Sequence, residues 1–186
     1  MHMFGLGAPG STGRRRQLCS RFAVFVGLSM LSFAIGHSAA AHSPAPEGPV
    51  LLTLDGKIAE THGDGAAKFD RASLERLPQV RVRTETPWTK GMVEFEGPLL
   101  RDLLSLVGAT GTVLEATALD AYTVEIPASD AIAHKVILAM RRNGKPMSVR
   151  ERGPLWIIYP WSDDSNLSKE IYFRRSIWQL QSLTVR

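Results

Sequence analysis

The residue types that carry most protein chemistry are thinly spread in this chain. Its 186 residues hold one cysteine, Cys19, and five histidines, of which His42, His62 and His134 lie at or beyond residue 42. Cys19 falls in a segment with the marks of a cleaved leader. The remainder then has no thiolate to serve as nucleophile, disulfide partner or soft metal ligand. No G-x-S-x-G, H-E-x-x-H, phosphate-binding glycine loop or Cys/His ligand spacing occurs. The three histidines are far apart, which suits surface or internally satisfied imidazoles. His42 has a second reading. Leader removal after Ala41 would leave it N-terminal, with amine and imidazole placed to chelate copper, and removal after Ala39 would leave Ala-Ala-His, which also binds Cu(II). Against this stands an incidental histidine in a tail.

Two segments hold denser groupings. Thr84-Glu85-Thr86-Pro87-Trp88-Thr89 follows a strand pattern, offers three threonine hydroxyls and fixes a tryptophan behind a proline. A loop at a strand end is a common ligand site, and a turn whose Trp plugs the core is the alternative. Arg141, Arg142, Lys145, Arg150 and Arg152 surround Asn143-Gly144. They could clamp a phosphate or carboxylate, or form a solvated hairpin tip.

The leader is read from three features. Arg14, Arg15 and Arg16 form a positive start, Phe22 to Ile35 is uncharged and apolar, and Ser38, Ala39, Ala40 and Ala41 offer a small-residue cleavage site. Residues 1–41 are therefore expected to be a signal peptide, the alternative being an uncleaved anchor. The apolar run is short of the about 20 residues that span a bilayer, so no stable transmembrane segment is expected after cleavage. Arg15-Arg16-Gln17-Leu18 loosely matches a twin-arginine signal. The whole chain has 22 basic and 18 acidic residues, and four of the basic ones (Arg14, Arg15, Arg16, Arg21) lie in the leader. What remains is balanced, which gives no basis for nucleic-acid binding. It is long enough for one domain with a real core.

The elements that must position these groups are short. Residues 42–49 (HSPAPEGP) read as a flexible arm, with the domain over 50–186. Val50–Leu54, the turn Asp55-Gly56-Lys57 and Ile58 predict strand, turn and strand. Asp70 is a natural N-cap for a short helix that Pro78 stops. Alternation predicts strands around Val80–Val82 and Val93–Phe95. Leu99, Leu100, Leu103, Leu104 and Val107 share one helical face between Pro98 and Gly108. Strands are expected over Leu114–Leu119, Tyr122–Ile126, Val136–Met140, Leu155–Tyr159 and Ile177–Val185, with a tight turn at Asn143-Gly144. The class is α+β, β-rich, with two short helices.

The order of the pieces resembles the sulfite oxidase-type molybdopterin-binding domain, in its small, single-domain exported bacterial branch. Phe95 to Leu104 (FEGPLLRDLL) is similar to that family's aromatic-x-G-x-x-L-x-x-L-L block. Tyr122 to Pro127 (YTVEIP) is similar to its Y-x-x-x-I-P strand, and Asn143 to Met147 (NGKPM) to its N-G-x-P-L turn. Gly153 to Pro160 resembles its G-x-P-x-R-x-x-x-P strand with altered register, and Trp178 with Leu180 its closing K-W-L element. The resemblance implies a mixed β-rich fold and a molybdopterin cofactor. It also implies a molybdenum-ligating cysteine, in the region that here is Thr84 to Trp88 and has no sulfur. Trp156 stands where the family has an arginine, and Ile177 where it has a lysine.

These departures point to a periplasmic binding or accessory protein on that fold, without molybdenum catalysis. Thr84, Thr86, Trp88, Tyr122, Arg142 and Asn143 would line a reduced pocket. Its occupant would be a small anion or a partner's loop, and the cofactor that the resemblance allows is molybdopterin with no thiolate ligand from the protein. Two alternatives stand. One is an oxidoreductase whose metal has no thiolate from the protein. The other is a structural partner of a membrane protein, docking through exposed Trp161 and Trp178.

Overall fold

The computed structural model describes residues 45–186. The leader, Cys19 and His42 lie outside the described residues. In chain order the elements are β1 (Leu52–Gly56), β2 (Ala67–Phe69), α1 (Arg71–Arg76), β3 (Gln79–Thr84), β4 (Val93–Pro98), α2 (Leu100–Leu106), β5 (Val113–Ala118), β6 (Thr123–Pro127) and α3 (Ala128–Ala133). There follow β7 (Ile137–Ala139), β8 (Arg141–Arg142), β9 (Lys145–Pro146), β10 (Trp156–Ile158), α4 (Glu170–Arg175) and β11 (Leu180–Val185). Single 3-10 turns occupy Val149–Glu151 and Ser165–Leu167.

A five-stranded sheet in the order β2-β1-β11-β5-β6 is antiparallel except where β1 meets β11. The last strand thus lies between the first and the middle of the domain, tying its ends together. A second sheet runs β3-β4-β8-β9, and β7 pairs with β10. Met140 N–H donates to Glu96 O at 2.8 Å, carrying β7 along β4 into β8. The burial of β5 alternates along its length, one face in the core, whereas β7 and β10 are buried throughout. That is the difference between a half-covered antiparallel strand and one enclosed on both sides.

Local chemistry explains most element ends. Asp70 caps α1, its carboxylate accepting from Ser73 N–H at 2.8 Å, as the N-cap rule requires. The same side chain accepts from Glu47 and Gly48 N–H at 3.0 and 2.8 Å, so the arm is fastened where it enters the domain. Leu100, Leu103 and Leu104 of α2 turn into the core, each burial stabilising by about 1.5–3 kcal/mol. Asn143 and Gly144 both take positive φ, 49° and 75°, the condition for a two-residue hairpin between β8 and β9.

Four expectations need correction. Ile58 does not begin a strand: its N–H turns back to Gly56 O, and Ala59 and Glu60 donate to Val107 O beside the end of α2. The partner of β1 is β2, farther on. The leucine helix starts at Leu100 rather than Pro98, because Pro98 is still paired with Gln79 at the end of β4. The last strand starts at Leu180, because Gln179 has φ +53° and interrupts it. Two helices beyond those expected, α3 and α4, each span six residues, too few for a helical period to show in sequence. Among the described residues no helix is long and apolar enough to cross a membrane.

Candidate functional site

The loop after β3 closes on itself. Thr84 is 0% exposed. Its Oγ1 accepts Ser162 N–H at 3.0 Å, and its own proton is within reach of Glu85 O and Ser162 Oγ, both at 3.2 Å. Glu85 N–H donates to Ser162 Oγ at 3.0 Å. Thr86 Oγ1 accepts Trp88 N–H at 3.1 Å and shares a proton with Thr89 Oγ1 at 2.8 Å, a hydroxyl-supported turn. Both hydroxyls are spent on structural hydrogen bonds, Thr84 chiefly on Ser162 and Thr86 within the loop.

Trp88 then enters an aromatic cluster. Its ring centroid lies 5.3 Å from Trp178, 5.8 Å from Trp156, 6.1 Å from Phe173 and 6.2 Å from Trp161. The Arg152 guanidinium sits 5.2 Å from the Trp178 ring and 5.5 Å from Trp156, cation–π range for both. Trp156 is fully buried and donates through Nε1 to Ser176 O at 3.1 Å; Ile177 is buried as well. The two positions where the resemblance implies charge are therefore apolar core. Trp161, expected as an exposed docking ring, is only 4% exposed, because Trp88, Tyr159 and Phe173 pack around it. Trp178 is half-buried.

The six expected site residues do not share one cavity. Trp88 and Tyr122 line a cavity of about 380 Å³ with Phe173, Ile177 and Trp178, while Asp120 and Arg174 supply its charged groups. Tyr122 and Arg174 also border a neighbouring recess of about 550 Å³ along β6 and α4. Arg142 and Asn143 line a different cavity of about 360 Å³. Thr84 and Thr86 line neither of those holding the other four. At the hairpin, Asn143 Oδ1 accepts Glu94 N–H at 3.1 Å, and Arg142 pairs with Glu151 at 3.3 Å. Arg141 pairs with Glu75 at 2.7 Å. Hydrogen bonds from Ser148 N–H and Oγ, together with Arg142 and Lys145, hold Glu151 below its ordinary carboxylate range. Within the basic cluster, Arg142 and Arg141 thus already have carboxylate partners.

Sequence reasoning missed Asp120, Phe173 and Arg174. Phe173 and Arg174 sit on α4, whose six residues left no pattern to find. It also missed a buried network: Asp130 Oδ2 accepts from Tyr159 OH at 2.8 Å and from Arg175 Nη1 at 2.9 Å. Burial first, then the neighbouring Asp130 carboxylate, raise the Tyr159 phenol far above its ordinary range. His134 packs against Tyr172 and Tyr159, and His62 Nδ1 accepts Lys68 N–H at 2.9 Å. Both imidazoles are built into the fold.

The resemblance implies a soft thiolate from the protein on the molybdenum of a dithiolene cofactor. The only cysteine is Cys19, outside the described residues. No group of three or more His, Cys, Asp or Glu among the described residues could hold a metal ion. The hydroxyls of the corresponding loop are engaged internally. Among the described residues there is no thiolate to meet the ligand that the resemblance implies.

The fold itself is a known one. The structure of the sulfane dehydrogenase SoxCD from Paracoccus pantotrophus superposes with a TM-score of 0.55 at 19% identity, covering 77% of this chain and 40% of that one. The chain thus spans well under half of that structure's length. No curated protein matches the chain. The family model described as the oxidoreductase molybdopterin binding domain matches residues 66–171, from the strand before α1 into α4. By that match, over more than half its length, the chain belongs to the sulfite oxidase-type molybdopterin-binding domain family.

Proposed function

We propose that this is an exported, periplasmic binding or accessory module on the molybdopterin-binding fold, acting without molybdenum catalysis. The observation that carries the reading is the loop Thr84–Thr89. Where the family resemblance implies a thiolate, it presents three threonine hydroxyls engaged in hydrogen bonds within the protein and one indole turned into an aromatic cluster. The working surface is the cleft beside that indole, walled by Trp88, Tyr122, Phe173 and Trp178. Apolar walls with a few charged groups are the usual make-up of a small-molecule site. Arg152, held against the Trp178 ring, orients that wall. Tyr122 stands at the mouth, 51% exposed.

A second reading, a molybdopterin oxidoreductase whose metal takes no ligand from the protein, is supported by family membership. Dye-coupled redox turnover separates the two, using protein from cells that also load a control molybdoenzyme. The binding-module reading expects none. Turnover that disappears in Thr86→Ala would move the chain to the oxidoreductase reading.

A further inference from the structure

Four of the nine residues lining the 380 Å³ cleft are aromatic, Trp88, Tyr122, Phe173 and Trp178, in a chain that is 8% aromatic. Composition alone does not produce that concentration. Trp88 meets Trp178 and Phe173 nearly at right angles, with interplanar angles of 77° and 83°. Perpendicular rings offer a flat guest one face for stacking and another for edge contact. Apolar contacts from Ala118 and Ile177 complete the recess.

The charged groups define polarity. Arg174 is exposed and has no carboxylate partner among the described residues, unlike its neighbour Arg175, which is held by Asp130 at 2.9 Å. An unpaired guanidinium beside an aromatic recess is a fork for a carboxylate. One oxygen of Asp120 accepts Tyr122 N–H at 3.0 Å. Its other oxygen is left to receive a donor. A guest with an acid at one end and an N–H or O–H at the other satisfies both. A cationic guest would gain the ring faces and Asp120 but meet Arg174.

We infer that the cleft binds a flat aromatic or heteroaromatic carboxylic acid, its ring against Trp88 and Trp178 and its carboxylate on Arg174. This rests on the binding-module reading of the same cleft and names its ligand class. The test is isothermal titration of the exported protein with indole-3-acetate, neutral indole-3-methanol and trimethylphenylammonium, with molybdenum and pterin content measured on the same sample. Indole-3-acetate should bind saturably and tightest, and shift the tryptophan emission. Arg174→Gln, a surface change that leaves the fold alone, should weaken the acid by about tenfold and leave the alcohol unchanged. Equal binding of acid and alcohol, tighter binding of the cation, or no binding of the acid to pterin-free protein overturns the inference alone. Stoichiometric molybdenum together with pterin in the same sample overturns the underlying reading and this inference with it.

Discussion

Ser162 fastens the loop that follows β3: its backbone N–H donates to the buried Thr84 Oγ1 at 3.0 Å, across 78 residues of sequence. The Ser162 hydroxyl returns the tie by accepting Glu85 N–H at 3.0 Å. Thr84 is thus a structural clasp between two distant segments. Thr84→Val keeps the shape and removes the acceptor of this part-buried hydrogen bond, which costs about 0.5–1.5 kcal/mol. Urea unfolding should show that loss, and Thr84→Ser should recover most of it. A neutral Thr84→Val would mean that the clasp contributes nothing.

Gly97, in the Phe95-Glu96-Gly97 motif, permits a backbone contact rather than a turn. A Cβ there would lie 1.9 Å from Leu138 O and 2.7 Å from Leu138 C. Both are main-chain atoms in β7 and cannot swing aside. Gly97→Ala should therefore push β4 and β7 apart at a cost of about 3 kcal/mol or more, read as a lowered Tm or loss of soluble protein. Unchanged Tm would show that the strands have room to separate.

The Asp130 carboxylate gathers Tyr159 OH and the Arg175 guanidinium from two other elements. Removing the carboxylate leaves a mostly buried cation, so Asp130→Ala should cost about 3 kcal/mol. Tyr159→Phe removes one donor and leaves the ion pair, so about 1–2 kcal/mol is expected. Chemical denaturation of both variants checks the order, and a larger loss from Tyr159→Phe would contradict it.

Asp70 gives the fold an acid-sensitive joint. Hydrogen bonds from the Ser73 hydroxyl, then from Ser73 and Gly48 N–H, hold its carboxyl well below the usual carboxylate range. A folded-state pKa below the unfolded one contributes stability above the unfolded value of about 3.9, and that contribution is lost as pH falls below it. The urea midpoint of the wild type should start to drop at about pH 4 and keep dropping below about pH 3, as pH falls towards the lowered folded-state value, and Asp70→Asn should flatten part of that drop. Identical pH profiles would remove Asp70 from the explanation.

What could be read from sequence was what neighbours along the chain decide. Asp70 ahead of a short apolar repeat, five apolar residues on one face of α2, and Asn143-Gly144 between strands each contain their own cause. Leu155–Tyr159 was legible as a buried strand because an unbroken apolar run has no solvent face to offer. The site was not local in this way. Trp88, Trp156, Trp161, Phe173 and Trp178 come together from segments 90 residues apart, and no spacing rule connects them. The basic cluster looked open because Glu75, which pairs with Arg141, lies 66 residues away. Helix α4, carrying Arg174, is one and a half turns of mixed residues with no face to read.

The proposed function turns on the loop from Thr84 to Thr89 serving structural closure rather than metal ligation. Its most direct test is the molybdenum-to-protein and pterin-to-protein ratio of chain exported with its own leader, by elemental and organic mass spectrometry, in cells that load a control molybdoenzyme. Ratios near zero are predicted. One molybdenum and one pterin per chain would contradict the claim and make this an oxidoreductase with ligation from the cofactor alone.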